Sequence, residues 1–526
     1  MATRRSTGTG SASSPSAIPA IGVDVPELQQ ARSLWVQNRF DESLELFERA
    51  VRKYPQNLLA LVDASRALGA RFEIQRAEEL LDRVMAMASR NARVWHLAGQ
   101  SYRIIFRPEK ALTCLEQAVA LSRNLPDAHL ELAVLHERRH RLAEASACLE
   151  ECLRLQPDYL EAQLFQARLL RRRKEEASST ALFRRLAENE GAHPMIRAQA
   201  WAEIAQGCDR AGDYAGAMSS LLRGKQLLRE HEEPFLRESR SILELVRTIA
   251  EAVTADDFRR WAEAAKEWEP RRLALLTSFP RSGTTLLEQI LDSHPGLVSS
   301  DEREAFARDI FPAMWMTPAT PRPTLAALDQ MPRERWGRQR DRYLRYMEAA
   351  LNESIDDRVH LDKNPPLTPL LPAMLRLFPE MKLLIALRDP RDVVLSCFMQ
   401  YLPLNTNSVW YLSLERAAER FTVDLGMWLR LRSLLPGAWL EVRYEDTVRH
   451  LEREARRALD FLGLPWDPRV LEYRSHVQNK AVASPTYEAV AQPLYTRAIG
   501  RWQHYAEYFG DGLARLEPLV KELGYG

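Results

Sequence analysis

Apolar positions follow two regimes along the chain. Up to about residue 270 they recur at helical spacing among charged residues, ending in RSILELVRTIAEAV and DDFRRWAEAAKEW. From Arg271 the apolar residues condense into short runs set between helical patterns. LALLTSF, VHLDK and KLLIALR read as strands, and AWLEVRYEDTV as a strand and turn. TTLLEQILDSH, LTPLLPAMLRLFP, RDVVLSCFMQYL and HLEREARRALDFLGL read as helices between and after them. Such alternation predicts a parallel sheet with helices on its faces, with ligands beyond the carboxyl ends of the strands.

The first regime repeats itself. Ala77, Ala111 and Ala145 stand 34 residues apart, and Ser43 extends the register backwards. Leu81, Leu115 and Leu149 keep the same period, with Phe47 before them. Trp95, Gly99 and Tyr102 open one unit, and Pro55 and Pro157 close others. Later units drift, through Ala167 and Phe183, then Trp201, Ala205, Gly212-Asp213-Tyr214, Ala217 and Leu221. This period, with a small residue in each second helix, resembles the tetratricopeptide repeat. We expect about six units over residues 24–231, a helical bridge over 232–270 and a second domain over 271–526. Residues 1–23, rich in Ser, Thr, Gly, Ala and Pro, are expected to form a disordered tail.

Composition narrows the functions. The chain has 526 residues, too many for one core, and a net charge of +1, which argues against a broad nucleic-acid footprint. Five cysteines make no CxxC pair, so disulfides and a zinc site are not expected and a reducing, cytoplasmic setting is. The N-terminus lacks a continuous apolar segment and no run of about 18 apolar residues occurs, so neither a secretory signal nor a membrane span is expected.

Two stretches carry candidate chemistry. In SFPRSGTTLLEQILDSHP, a strand runs into a turn at Gly283 and a helix start. Backbone N–H groups there form a natural anion site, with Arg281, Ser282, Thr284 and Thr285 adding side-chain donors. No lysine follows Gly283, so this is not the Walker loop of a triphosphatase. In KLLIALRDPRDVVLSC, Arg388 ends a buried strand and Ser396 follows on the next helix. Arg388 there is either a second anion contact or a partner of Asp389 or Asp392. Two anion sites on one sheet suggest a ligand with phosphates at both ends.

Together these stretches resemble the sulfotransferase family, most closely its tyrosylprotein branch. VRYEDTV followed by FLGLPWDP, and SPTYEAVAQPLYTRAIGRW, extend the likeness over about residues 271–510. The fold it implies is an α-helical solenoid of repeats followed by an α/β, P-loop-like sulfotransferase domain with a parallel sheet. The resemblance implies the donor 3′-phosphoadenosine 5′-phosphosulfate, transfer of its sulfuryl group to an acceptor hydroxyl, and no metal. The 5′-phosphosulfate would lie on the Arg281–Thr285 loop and the 3′-phosphate on Arg388 and Ser396.

Residue by residue, Glu302 in SSDEREAF matches the family's glutamate base, while composition alone leaves Asp301, Glu304 and, from a different family pattern, His294 open. Lys363 matches the lysine at the donor's bridging oxygen, and Thr486 a serine touching the same group. Tyr444 matches a tyrosine near the nucleotide, Tyr495 lies in the matching donor loop, and Arg501 replaces a donor-contacting lysine. Three positions depart from the pattern: Gln400 stands for an arginine, and Ala489 and Ala491 for Gln and Arg. The expected acceptor is a peptide or protein tyrosine recruited by the repeats; a carbohydrate, a lipid-linked substrate or a biosynthetic partner stays open. The rival reading is a repeat scaffold that binds the nucleotide without turnover.

Overall fold

The computed structural model describes residues 22–37, 39–87, 90–316, 322–355, 357–435, 437–479 and 494–526. The tail expected over residues 1–23 falls almost wholly outside them. So do Thr486, Ala489 and Ala491. The chain forms two compact units, the first ending at Asn124 and the second running from Leu125 to Gly526.

Twelve helices in the described residues before residue 230 fall into six pairs. The first unit holds Pro26–Val36 (α1) with Phe40–Lys53 (α2), Leu58–Ala70 (α3) with Ile74–Met87 (α4), and Ala92–Ile104 (α5) with Pro108–Leu121 (α6). The second opens with Pro126–Arg138 (α7) and Leu142–Leu155 (α8), then Leu160–Arg172 (α9) and Glu176–Glu188 (α10), then Pro194–Arg210 (α11) and Tyr214–Arg229 (α12). The small residues of each second helix are why the pairs close. Ser43, Ala77, Ala111 and Ala145 have no exposed surface, and a Cβ on Gly99 would meet Leu115 Cγ at 2.9 Å. Ser43 Oγ donates to Ala31 O, and Ser179 Oγ to Ala167 O, each at 2.7 Å, so these hydroxyls are satisfied where alanine serves elsewhere. The turns repeat too. Phe72, Phe106, His140 and Lys174, each 34 residues on, all have left-handed backbones with φ of 60° to 65°.

Glu233–Ala252 (α13) and Ala255–Ala265 (α14) lead into the sheet. The parallel sheet is ordered β2-β3-β1-β4-β5, with β1 Leu273–Thr277, β2 Leu297–Asp301, β3 Val359–Lys363, β4 Lys382–Leu387 and β5 Trp439–Arg443. Every residue of β1, β2 and β3 is buried, as expected where helices cover both faces. Thr284–Asp292 (α15) follows β1. Phe311–Trp315 (α16), Leu325–Asp329 (α17) and Arg333–Leu351 (α18) lie between β2 and β3. Leu371–Leu377 (α19) precedes β4, and Pro390–Met399 (α20) and Leu414–Leu434 (α21) separate β4 from β5. Tyr444–Arg449 (α22), Leu451–Leu462 (α23), Tyr473–Asn479 (α24) and Gly512–Glu522 (α25) are the remaining α-helices of the described residues. Among the described residues no helix is long and apolar enough to cross a membrane.

Within the second unit the last repeat helices pack directly on the sheet domain. Lys225 of α12 donates to Gln400 O at 2.9 Å, and its burial pulls its pKa down to about 7. Glu232 takes both arms of Arg416 at 2.7 and 2.8 Å, a fork-to-fork pair, and Ser239 Oγ accepts from Trp410 Nε1 at 2.7 Å. Helix α13 and the residue before it are therefore docked on the sheet domain.

Candidate active site

All five strands end beside a residue singled out in the sequence. Arg281 lies in the loop after β1, Glu302 directly follows β2, Lys363 ends β3, Arg388 follows β4 and Tyr444 follows β5. β1 is flanked by β3 on one side and β4 on the other, so the chain departs in opposite directions at this point. A crevice opens at such a switch, outside the carboxyl ends. Here it is a cleft of about 350 Å³. Arg281, Gly283, Thr284 and Thr285 line it, as do Glu302, Arg388, Ser396, Tyr444, Tyr495 and Arg501. Ser282 is buried behind this lining, and Lys363 lies beneath it.

The loop after β1 is shaped for close approach. Arg281 has φ 73° and Gly283 φ 95°, and Gly283 precedes the first turn of α15, whose N–H groups have no intrahelical partner. A Cβ on Gly283 would come within 2.7 Å of Tyr444 Cδ2, so only glycine lets loop and ring meet. The loop after β4 locks against it. Arg281 Nε donates to Ser396 Oγ at 3.1 Å, and Arg388 Nη1 donates to Arg281 O at 3.2 Å. Arg388 also lies over the Tyr444 ring, 4.9 Å from its centroid.

Asp389 and Asp392 have other partners. Asp389 pairs with Arg391 at 2.8 Å, while Asp392 accepts from Gly500 N at 2.7 Å and Trp502 N at 2.9 Å. Arg388 is thus left facing the cleft, and its Nε is buried without a hydrogen-bond partner. Burial pulls the Arg281 guanidinium below its ordinary pKa, and neighbouring Arg388 pulls the same way. Two desolvated cations side by side favour an anion.

Glu302 and Lys363 form the other part of the site. Glu302 has φ 50°, a strained backbone for a side chain of its size. Its N–H donates to Lys363 O at 2.8 Å, and its carboxylate accepts from Lys363 Nζ at 2.6 Å. Lys363 also pairs with Asp301, and Glu288 of α15 lies 3.6 Å away. Burial disfavours the ammonium, but Glu288, Asp301 and Glu302 outweigh it and hold the lysine above its ordinary pKa. Lys363 has no exposed side-chain surface, whereas Glu302 is 39% exposed, so the cleft sees the lysine through the glutamate.

Of the rival bases, Asp301 is taken up by Lys363, and Glu304 and His294 are engaged elsewhere. Glu304 pairs with Arg308 at 3.1 Å. His294 is buried; its Nδ1 accepts from Gly296 N, and its Nε2 lies against Pro465 O, both at 2.9 Å. Neither residue lines the cleft.

Sequence reasoning missed the groups that hold the site together. Glu445, beside Tyr444, accepts from Asp389 N at 3.0 Å and fixes the start of α20. Asp392 pins the segment that carries Arg501, and Asp209 of α11 accepts from Arg501 Nη2 at 2.6 Å. The DPRD and YED strings hinted at the first two, while nothing local marked Asp209. The cleft also has an apolar wall from Leu286, Pro366, Leu402, Pro403 and Tyr411.

Comparison with known proteins agrees with this architecture. Residues 274–468 match the sulfotransferase family, and residues 34–100, 92–125 and 126–159 match tetratricopeptide repeats. An uncharacterized protein of Aquifex aeolicus is 24% identical over 333 residues, 62% of this chain and 42% of the relative. Protein-tyrosine sulfotransferase A of Caenorhabditis elegans is 24% identical over 272 residues, 47% of this chain and 65% of the relative. The chain thus spans less than two thirds of either. Among solved structures, the sulfotransferase domain of the Synechococcus PCC 7002 olefin synthase aligns with a TM-score of 0.35 at 22% identity, over 48% of this chain and 96% of that one. The chain combines N-terminal tetratricopeptide repeats with a sulfotransferase-family domain distantly similar to protein-tyrosine sulfotransferases.

Proposed function

We propose that this protein transfers a sulfuryl group from 3′-phosphoadenosine 5′-phosphosulfate to an acceptor hydroxyl. The observation that carries the reading is the convergence of the loops after β1 and β4 on one cleft, beside the Glu302–Lys363 pair. The chain's residues fit a donor with two phosphate ends. Gly283 leaves a cradle that a Cβ would fill, and the unpartnered, buried Nε of Arg388 marks a second place for an anion.

On this reading the N–H groups at the start of α15, with Arg281, Thr284 and Thr285, hold the 5′-phosphosulfate. Arg388 and Ser396 hold the 3′-phosphate, and Tyr444, Tyr495 and Arg501 border the nucleotide; Thr486, by its sequence match alone, joins Glu302 and Lys363 at the phosphosulfate. The donor supplies the sulfuryl group, and its sulfur–oxygen bond to the 5′-phosphate breaks as the acceptor oxygen bonds to sulfur. Glu302 accepts the acceptor's hydroxyl proton. Lys363 stays charged throughout, because Asp301 and Glu288 remain beside it once Glu302 is protonated. Its positive charge, with the cleft arginines, favours charge developing at the leaving oxygen.

The acceptor we favour is the tyrosine of a peptide or protein. The apolar wall formed by Leu402, Pro403 and Tyr411 suits an aromatic side chain. We assign residues 24–231 to recruitment of that acceptor, residues 232–270 to a bridge and residues 271–526 to transfer. Repeat arrays of this class present extended binding surfaces. The five free cysteines suit a reducing compartment such as the cytoplasm.

Calorimetric titration of the full chain with 3′-phosphoadenosine 5′-phosphate, without magnesium, tests the donor site. Micromolar binding to wild type and at least tenfold weaker binding to Arg388→Ala are expected. Transfer of labelled sulfate from the donor to tyrosine peptides then tests the acceptor. Folded wild type that does not bind the nucleotide would sink the proposal.

A further inference from the structure

We infer that Asp209, on repeat helix α11, is a positioning residue for the donor site and acts through Arg501. The inference rests on the proposed donor cleft, and it makes the last repeat a working part of that cleft.

Arg501 lines the cleft, and one edge of its guanidinium is fixed by Asp209. Nε donates to Asp209 Oδ1 at 3.1 Å, and Nη2 contacts Oδ2 at 2.6 Å. Among the described residues Asp209 is the carboxylate that pairs with Arg501, and the Tyr505 hydroxyl lies beside it. A guanidinium clamped along its Nε–Nη2 edge presents its remaining N–H groups in one fixed direction, because the fork is planar.

The carrier of Arg501 is held at both ends. Gly500 N and Trp502 N donate to Asp392 of α20, and Ala498 O accepts from Arg388 Nη2 at 2.5 Å. On the repeat side, fully buried Tyr505 donates to Asp209 Oδ1 at 2.6 Å and packs edge-on against Tyr214 of α12. The Tyr214 ring stacks on His504 at 4.1 Å. Helices α11 and α12 therefore grip the short 3₁₀ helix Arg501–Tyr508 just where its first residue enters the cleft.

The two halves of this contact have different jobs. Tyr505 and Tyr214 supply buried contact between repeat and sheet domain. The Asp209–Arg501 pair adds direction to a side chain that otherwise samples many rotamers, and fixing such a side chain beforehand spares its ordering cost on binding.

A double-mutant cycle read by calorimetric titration with 3′-phosphoadenosine 5′-phosphate tests this. Asp209→Asn is expected to weaken binding about three- to tenfold. Arg501→Ala weakens it at least as much, and the double variant is no weaker than Arg501→Ala alone. Tyr505→Phe removes the other bond to the same carboxylate. Because its hydroxyl also lies near Arg501, it is expected to lower the melting temperature while weakening affinity clearly less than Asp209→Asn does.

Unchanged affinity in Asp209→Asn overturns the inference while leaving the donor site standing, provided wild type binds. Fully additive losses in the double variant overturn it as well, since Asp209 would then act independently of Arg501. An equal loss in Tyr505→Phe also overturns it, because the carboxylate's role would be structural. If Asp209→Asn does not fold, Asp209→Glu carries the same cycle by displacing the guanidinium while keeping the charge. No binding by folded wild type would reject the donor site and this inference together.

Discussion

The Glu302 carboxylate accepts a hydrogen bond from Lys363 Nζ at 2.6 Å, and the ammonium is buried beneath it. This contact joins the ends of β2 and β3 alongside the Glu302 N–H to Lys363 O bond and the Lys363–Asp301 pair. Glu302→Gln keeps the size and an oxygen that accepts from Lys363, but it cannot take up the acceptor's proton. Turnover should therefore fall by about 10²-fold or more. Affinity for 3′-phosphoadenosine 5′-phosphate should stay within about threefold of wild type, because the anion contacts lie on other residues. Single-turnover transfer with labelled donor checks the first expectation and calorimetry the second. Normal turnover in this variant would remove Glu302 from the base role.

Lys363→Met takes away the ammonium that Asp301 and Glu302 contact and that Glu288 approaches, leaving Arg303 as the other nearby cation. Losing one partner of a buried ion cluster costs about 3–5 kcal/mol, so a clear drop in melting temperature is expected. The sign of its pH dependence follows from the charges left behind. Removing a neighbouring cation raises the pKa of a buried carboxylate, and a group with a raised folded pKa loses its contribution to stability as pH rises. The deficit relative to wild type should thus be larger at pH 8 than at pH 5. Melting curves at the two pH values decide it, and an equal deficit at both would mean that the carboxylates do not depend on Lys363.

Gly283→Ala asks whether the loop after β1 is a cradle or only a turn. The backbone there has φ 95°, and the added Cβ would lie 2.7 Å from Tyr444 Cδ2 and 3.2 Å from Tyr444 Cβ. The second contact is near the ring's own backbone, so a rotation of the ring does not relieve it. The left-handed conformation costs a further ~1–2 kcal/mol for a residue with a Cβ. We expect nucleotide affinity to fall at least tenfold with helix content unchanged by circular dichroism. Wild-type affinity would show that the N–H groups of this loop do not face the nucleotide.

The parts of this molecule that were legible in its sequence are those where a local pattern carries the physics. Ala77, Ala111 and Ala145 announce the repeats because each pair of helices must close over the same small residue. The runs of β1 and β4 announce a sheet covered on both faces. Strand order and the depth of Lys363 were not legible. Glu288 sits in TTLLEQIL and reads as the polar face of an amphipathic helix, yet all nine residues of α15 are buried and Glu288 serves the lysine. Asp209 and Arg501 lie 292 residues apart, and no periodicity connects a repeat helix to a C-terminal loop. Tertiary packing alone brings them together.

Asp362, next to Lys363 on β3, yields a pH prediction in which the variant gains stability. It is fully buried, and Tyr343 donates to its Oδ2 at 2.8 Å. Burial raises its pKa from 3.8 to about 7, against the smaller opposing pulls of Tyr343 and Lys363. Between those two values the folded protein keeps a proton that the unfolded chain releases. Its stabilising contribution is therefore complete at low pH and is lost as pH rises through about 7. Asp362→Asn keeps an oxygen for the Tyr343 hydroxyl and never ionises. The variant should be more stable than wild type at pH 8, by up to a few kcal/mol, since each tenfold change in proton affinity is worth about 1.4 kcal/mol. The difference should shrink steadily toward pH 5. The neighbouring His360, whose pKa burial lowers to about 4, loses stability in the other direction, as pH falls, but it is common to both proteins and cancels in the comparison. Melting temperatures of the pair from pH 5 to 8 check the slope. A wild type that is the more stable at pH 8 would show that Asp362 is ionised in the folded state and held by Lys363 rather than by its proton.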